Sequence, residues 1–212
     1  MAVLDMQEQE QLDTLKAWWK DNGNWTINLL LIVVLAIAGV RGWQYYHHKQ
    51  TNDAASLYQQ FVAQLASNDA KRVNDAAAVV TDKYAGTPYA PRAALLAAQV
   101  NEFGKDLPHA KTQLQWVIEH ASEAGLKSVA GLRLASILLD EKDYTGALKL
   151  LNASHADSFD ALYDDLKGDV LNAQGKPVEA RAAYKLAFDK LDGKSDYRNL
   201  IQLKMDAFGA AK

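Results

Sequence analysis

Between Asn22 and Val40 the chain carries no charged residue, and from Ile27 onward it reads INLLLIVVLAIAGV. A helix from Trp25 to Trp43 is roughly 28 Å long at 1.5 Å per residue, which matches the hydrocarbon thickness of a bilayer. Aromatic residues bracket it, with Trp18, Trp19 and Trp25 on one side and Trp43, Tyr45 and Tyr46 on the other. Amphipathic rings settle at the headgroup level, so these six are candidate membrane-interface residues. About ten Leu, Ile and Val side chains, each contributing roughly 0.3–0.6 kcal/mol to insertion, outweigh Thr26, Asn28 and the glycines. A buried core helix of this length needs no aromatic girdle. A cleavable signal peptide fits Ala36-Ile37-Ala38-Gly39 as a small-residue site, but signal peptides open on a short basic stretch. Here the leader is acidic: Asp5, Glu8, Glu10, Asp13 and Asp21 stand against Lys16 and Lys20.

These features divide the chain into a tail over 1–24 with an amphipathic segment at Leu12, Leu15, Trp18 and Trp19, a transmembrane helix over 25–46, and a soluble domain over 51–212. Charge does not orient the span. Lys16 and Lys20 before it balance Arg41 and Lys49 after it, which is a tie by the positive-inside count.

Beyond Gln50 short amphipathic helices are punctuated by Gly, Pro, Asn and Asp, and small residues recur at a fixed step. Ala135 leads by twelve to Ala147, and Gly168 leads by twelve to Ala180. Each pair lies 33 residues from the other, close to the 34 of a tetratricopeptide repeat. Ala98 and Ala110 extend the pattern backward, with a stretched step around Ser122–Leu126. Ala76, Val80 and Pro88 suit an earlier second helix, whose partner is Ala54 to Ala66. Antiparallel helices approach closely only where side chains are small, so Leu138, Tyr144, Leu151, Leu171 and Tyr184 are left to fill the space between pairs. A helix over Asp196–Phe208, apolar at Tyr197, Leu200, Ile201, Met205 and Phe208, covers the last open face. The expected fold is all-α: one transmembrane helix, then a tetratricopeptide-like solenoid with a C-terminal capping helix. At Asn101 the pattern calls for an apolar residue, so packing through Val100 or Phe103 is expected there.

Nothing in the sequence points to catalysis or to a cofactor. Gly193-Lys194-Ser195 resembles the end of a phosphate loop, but Phe188 stands where the first glycine belongs. His47 and His48 are adjacent and point apart on a helix, and His109, His120 and His155 are isolated, so no metal set forms. Cysteine is absent, which removes disulfides and thiolate ligands. A formal charge of −3 gives no case for nucleic acid. A protein-binding role is expected, with no enzymatic activity and no small-molecule substrate.

The order Leu12-Asp13-Thr14-Leu15-Lys16-Ala17-Trp18-Trp19-Lys20-Asp21-Asn22-Gly23, an apolar span, and then Gly42-Trp43-Gln44-Tyr45-Tyr46 resembles the YfgM family, ancillary subunits of the bacterial SecYEG translocon. The likeness continues through Ala55-Ser56-Leu57-Tyr58-Gln59, Leu107–Leu114, Leu132-Arg133-Leu134-Ala135, Asp164-Asp165-Leu166-Lys167-Gly168 and Gln202-Leu203-Lys204-Met205. It implies a cytoplasmic N-terminus, a single inner-membrane helix and a periplasmic repeat domain. It also implies association with the translocon and the periplasmic chaperone PpiD, in aid of secreted proteins. A membrane-anchored assembly factor for another envelope complex is the alternative.

Tetratricopeptide grooves are lined by the first helix of each pair. In this register Arg92, Gln99, Phe103, Ser136, Leu139, Asp140, Asp165, Asp169 and Asn172 are the candidate partner-binding residues. Asp165 and Asp169 are expected to offer open carboxylates, so reversing their charge should weaken a complex and leave helicity intact.

Overall fold

The computed structural model describes residues 6–67, 69–193 and 195–207, and every regular element among them is helical. The chain divides into two compact units, Met1–Lys49 and Gln50–Lys212. The first helix, α1 (Met6–Leu65), belongs to the first unit up to Lys49 and to the second from Gln50.

Within the first unit the apolar run is exposed on every side of the helix, from Ile27 at 52 % through Ile32 at 63 % to Val40 at 55 %. Among the described residues this is the one helix long and apolar enough to cross a membrane. Two of its polar side chains are satisfied locally. Thr26 Oγ1 donates to the Asn22 carbonyl at 2.9 Å, and Asn22 Nδ2 donates to the Trp18 carbonyl at 3.1 Å. Such i−4 bonds lower the cost of hydroxyl and amide groups where water is excluded. The aromatic candidates Trp18, Trp19, Trp25, Trp43, Tyr45 and Tyr46 are all exposed, as lipid-facing girdle residues would be.

The second unit is a stack of antiparallel pairs: α1 from Gln50 with α2 (Ala70–Tyr84), α3 (Tyr89–Phe103) with α4 (Leu107–His120), α5 (Ala124–Asp140) with α6 (Tyr144–Leu151), and α7 (Asp160–Ala173) with α8 (Pro177–Lys190). A final helix, α9 (Asp196–Ala207), closes the series. All six small residues that define the repeat are buried: Ala98, Ala110, Ala135, Ala147, Gly168 and Ala180. The stretched step falls between Ala110 and Ala135, where α4 has 14 residues against 8 in α6.

The backbone repeats as faithfully as the side chains do. The turns inside the last three pairs each close on one residue of positive φ: Lys105 at 60°, Lys142 at 64° and Gly175 at 73°. In each turn the next N–H reaches back five residues, from Asp106 to the Asn101 carbonyl at 2.8 Å, Asp143 to Leu138 at 2.8 Å and Lys176 to Leu171 at 3.0 Å. These bonds satisfy carbonyls that the helix end would leave orphaned. Asp106 and Asp143 then cap the following helices, accepting from His109 N–H at 3.4 Å and Gly146 N–H at 2.9 Å. Lys176 has no capping side chain, and α8 starts on Pro177 instead, whose missing N–H needs no partner.

Three expectations are revised. Phe103 does not replace Asn101 in the packing: it is 80 % exposed, while Asn101 is fully buried. Asn101 is tolerated there because its amide exchanges hydrogen bonds with Asn74 at 3.0 and 2.9 Å and donates to Gln113 Oε1 at 2.8 Å. Gln113 in turn donates to Asn74 Oδ1 at 3.0 Å, so three amides from α2, α3 and α4 satisfy one another. Val100 does pack beside this layer as a partly buried residue. The first repeat helix ends at Leu65, one residue before Ala66. Ile201 of the capping helix is fully buried, with Tyr197 and Met205 packed around it, whereas Leu200 is 46 % exposed and Phe208 lies outside the described residues.

Candidate functional site

The repeat steps of 37 and 33 carry four positions from α3 to α5 to α7. Arg92 leads to Val129 and Leu162, Leu95 to Leu132 and Asp165, Leu96 to Arg133 and Leu166, and Gln99 to Ser136 and Asp169. All twelve side chains line two neighbouring clefts on one face. The first, of about 260 Å³, is bounded by Tyr58, Arg92, Leu95, Leu96, Gln99, Val129 and Arg133. The second, of about 380 Å³, is bounded by Leu132, Arg133, Ser136, Leu162, Asp165, Leu166 and Asp169, with Tyr197, Leu200 and Lys204 of α9 along its edge. Arg133 belongs to both. Only first helices of pairs and the capping helix contribute, because the second helices pack behind them.

Of the nine residues expected to face a partner, the structure brings Arg92, Gln99, Ser136, Asp165 and Asp169 to these clefts. Phe103, Asp140 and Asn172 lie in the last turns of their helices, exposed and outside both clefts. Leu139 is partly buried against the cluster of Ala135, Ala147 and Leu151, and its work is packing. Leu95, Leu132, Arg133 and Leu166 were not among the nine. Extending the step that links Gln99, Ser136 and Asp169 to the neighbouring turns finds them.

The acidic pair is not open. Asp165 is 4 % exposed, and Lys204 Nζ of α9 donates to both its oxygens at 2.8 and 2.9 Å. The same ammonium donates to both oxygens of Asp169 at 2.9 Å. Tyr197 OH donates to Asp165, and Tyr184 OH donates to Asp169 at 2.8 Å. Burial pulls the Lys204 ammonium down, but its bonds to Asp165 and Asp169 and their charge more than offset this and hold it above the usual lysine value. Burial, then the bonded carboxylates, push the Tyr184 and Tyr197 hydroxyls well above the usual tyrosine range. Charge reversal at Asp165 therefore acts on the docking of α9, in contrast to the expectation that the fold is indifferent to it.

All three shifts have one consequence for pH. The folded chain retains protons on Lys204, Tyr184 and Tyr197 that the unfolded chain releases near pH 10, so their contribution is complete below that pH and is lost above it. Thermal melts followed by circular dichroism from pH 8 to 11 should show a fall in stability beginning at about pH 10, shallower in Tyr197→Phe. A flat profile would contradict the network.

Elsewhere on the face, charge is also paired. Arg92 forms a two-bond fork with Glu123 at 2.8 and 2.9 Å and donates to the Pro88 carbonyl at 2.6 Å. Burial raises the Glu102 carboxyl above the usual range, with the charge of Arg133 acting against it.

A stack of antiparallel helical pairs with one continuous lined face and a lipid-compatible helix defines a helical-repeat protein of the membrane-anchored, interaction type. A family model described as a tetratricopeptide repeat-like domain matches residues 16–210. The chain is 30 % identical to an ancillary SecYEG translocon subunit of Neisseria gonorrhoeae, over 95 % of this chain and 97 % of that one. It is 27 % identical to proteins of the same name from Haemophilus influenzae, over 86 % and 89 %, and Escherichia coli, over 94 % and 95 %. No solved structure matches. The chain belongs to the YfgM family of ancillary SecYEG translocon subunits, with a tetratricopeptide repeat-like domain.

Proposed function

We propose that the chain is a protein-interaction scaffold at the SecYEG translocon, held in the bacterial inner membrane by a span over 25–46. Residues 1–24 face the cytoplasm, and the domain over 51–212 stands in the periplasm. There its lined face binds protein partners, among them the chaperone PpiD, and assists secreted or outer-membrane proteins as they emerge. The observation that carries this is the row of repeat-equivalent positions on the first helices, a surface that stacking produces for an extended or helical partner. The names of the relatives supply the translocon.

The test is in vivo crosslinking of the full-length chain, followed by purification in mild detergent. Translocon subunits and a periplasmic isomerase are expected with it. Recovery of a different envelope complex without the translocon would transfer the function to an assembly factor for that complex. A C-terminal alkaline phosphatase fusion reports topology: activity is expected, and an inactive, stably expressed fusion would reverse the orientation.

A further inference from the structure

The charges on the lined face are almost all accounted for. Arg92 is occupied by Glu123, and Lys204 by Asp165 and Asp169. Arg133 is different. It sits where the two clefts meet, and its one hydrogen bond is a long one of 3.5 Å to the Leu95 carbonyl. Among the described residues no carboxylate lies within ion-pair distance of it. Glu102 is close enough to feel its charge but does not bond to it, and Glu102 Oε1 is buried without a partner. Gln99 and Ser136, on the repeat-equivalent position one turn away, likewise have no side-chain hydrogen bond among the described residues. A half-buried guanidinium presents a planar set of donors suited to a carboxylate, and leaving them unmet forgoes a charge-assisted bond.

We infer that Arg133 reads an acidic side chain on an extended peptide segment, with Gln99 and Ser136 as flanking polar contacts and the aliphatic walls at Leu95 and Leu166 taking the neighbouring apolar side chains. This rests on the proposed binding face and specifies its partner: an acidic-aliphatic polypeptide segment, selected by one charge. Apolar residues two positions to either side of the acid suit the geometry, because successive side chains of an extended chain point to opposite faces and every second one meets the groove. Glu102, close enough to Arg133 for their charges to interact, adds a negative charge that opposes a second carboxylate.

The test uses the full-length chain in lipid nanodiscs and two fluorescein-labelled, C-terminally amidated dodecapeptides. One carries a single glutamate with leucines two positions to either side, and the other has glutamine in its place. By fluorescence anisotropy the glutamate peptide is expected to bind about tenfold tighter, the low end for a charge-assisted contact. Arg133→Gln should erase that difference, and Arg133→Lys should restore only part of it, because an ammonium lacks the fork. Glu102→Gln should strengthen the glutamate peptide severalfold, a gain that misfolding does not produce. Empty nanodiscs and the melting temperature of each variant serve as controls. Equal binding of the two peptides, binding of neither, or a preference that survives in Arg133→Gln would overturn the inference. If translocon crosslinks persist in any of those cases, only the groove chemistry falls; if the crosslinks are absent as well, the proposed function falls with it.

Discussion

Replacing Lys204 by methionine unfastens the last helix and lowers stability by about 3 kcal/mol, the low end for breaking a buried ion pair. The choice of methionine keeps the apolar stem and removes only the charge. What remains is two neighbouring carboxylates, one of them 4 % exposed, that had shared a single ammonium. Asp165 cannot turn to water without moving α9, whereas Asp169 is already 32 % exposed. The effect stays at the low end because the Lys204 side chain is itself 26 % exposed and partly screened. For a chain of this size the loss corresponds to a fall in melting temperature of about 6–12 °C. Calorimetry measures it, and limited proteolysis should cut first near Leu191. Lys204→Met combined with Asp165→Asn should recover much of the loss, since the amide removes the stranded charge. A melting temperature within a degree of the parent chain would show that α9 is held by its apolar contacts alone.

The second large effect is at Gly168. Substitution by alanine is expected to cost about 2–3 kcal/mol through overpacking, although alanine is the better helix former. An added Cβ meets the Tyr184 ring at less than van der Waals separation. The ring cannot withdraw, because it is 2 % exposed and its hydroxyl is tied to Asp169. The repeat explains the glycine. Tyr184 is equivalent to Leu114 and Leu151, and Gly168 is equivalent to Ala98 and Ala135. Where the second helix offers leucine the first offers alanine, and where it offers tyrosine the first retreats to glycine. Gly168→Ala with Tyr184→Leu rebuilds the pairing used by the other repeats, so the double variant should be more stable than Gly168→Ala alone. Gly86→Ala, with nothing within 4 Å of the new carbon, is the neutral comparison. Urea unfolding distinguishes these outcomes; equal destabilisation at Gly86 and Gly168 would remove the steric account.

The same complementarity explains why so much of the architecture is legible in sequence. Ala98, Ala135 and Gly168 must be small whatever surrounds them, and the constraint survives as a spacing. The lined face is half legible: Gln99, Ser136 and Asp169 emerge from the register, but Leu95 and Leu166 look like ordinary core leucines until the step is applied to them. Arg133 is hidden for another reason, since its significance lies in which carboxylates stay away from it. Asp165 misleads because an aspartate on a helix reads as solvated, and the lysine that covers it is 39 residues downstream. Asn101 misleads similarly: a lone amide looks wrong for a core, and its partners stand 27 residues before and 12 after.

Those three amides also give the array an order. Apolar surfaces of similar shape are interchangeable, and a solenoid built from them alone could lose, duplicate or exchange a unit at little cost. The junction of α2, α3 and α4 cannot, because Asn74, Asn101 and Gln113 are satisfied only by one another. Placing either side of that junction against any other repeat would strand the amide of Asn101, which is fully buried. The amides act as an address, fixing which unit comes first and keeping the lined face in one sequence of chemistries from end to end.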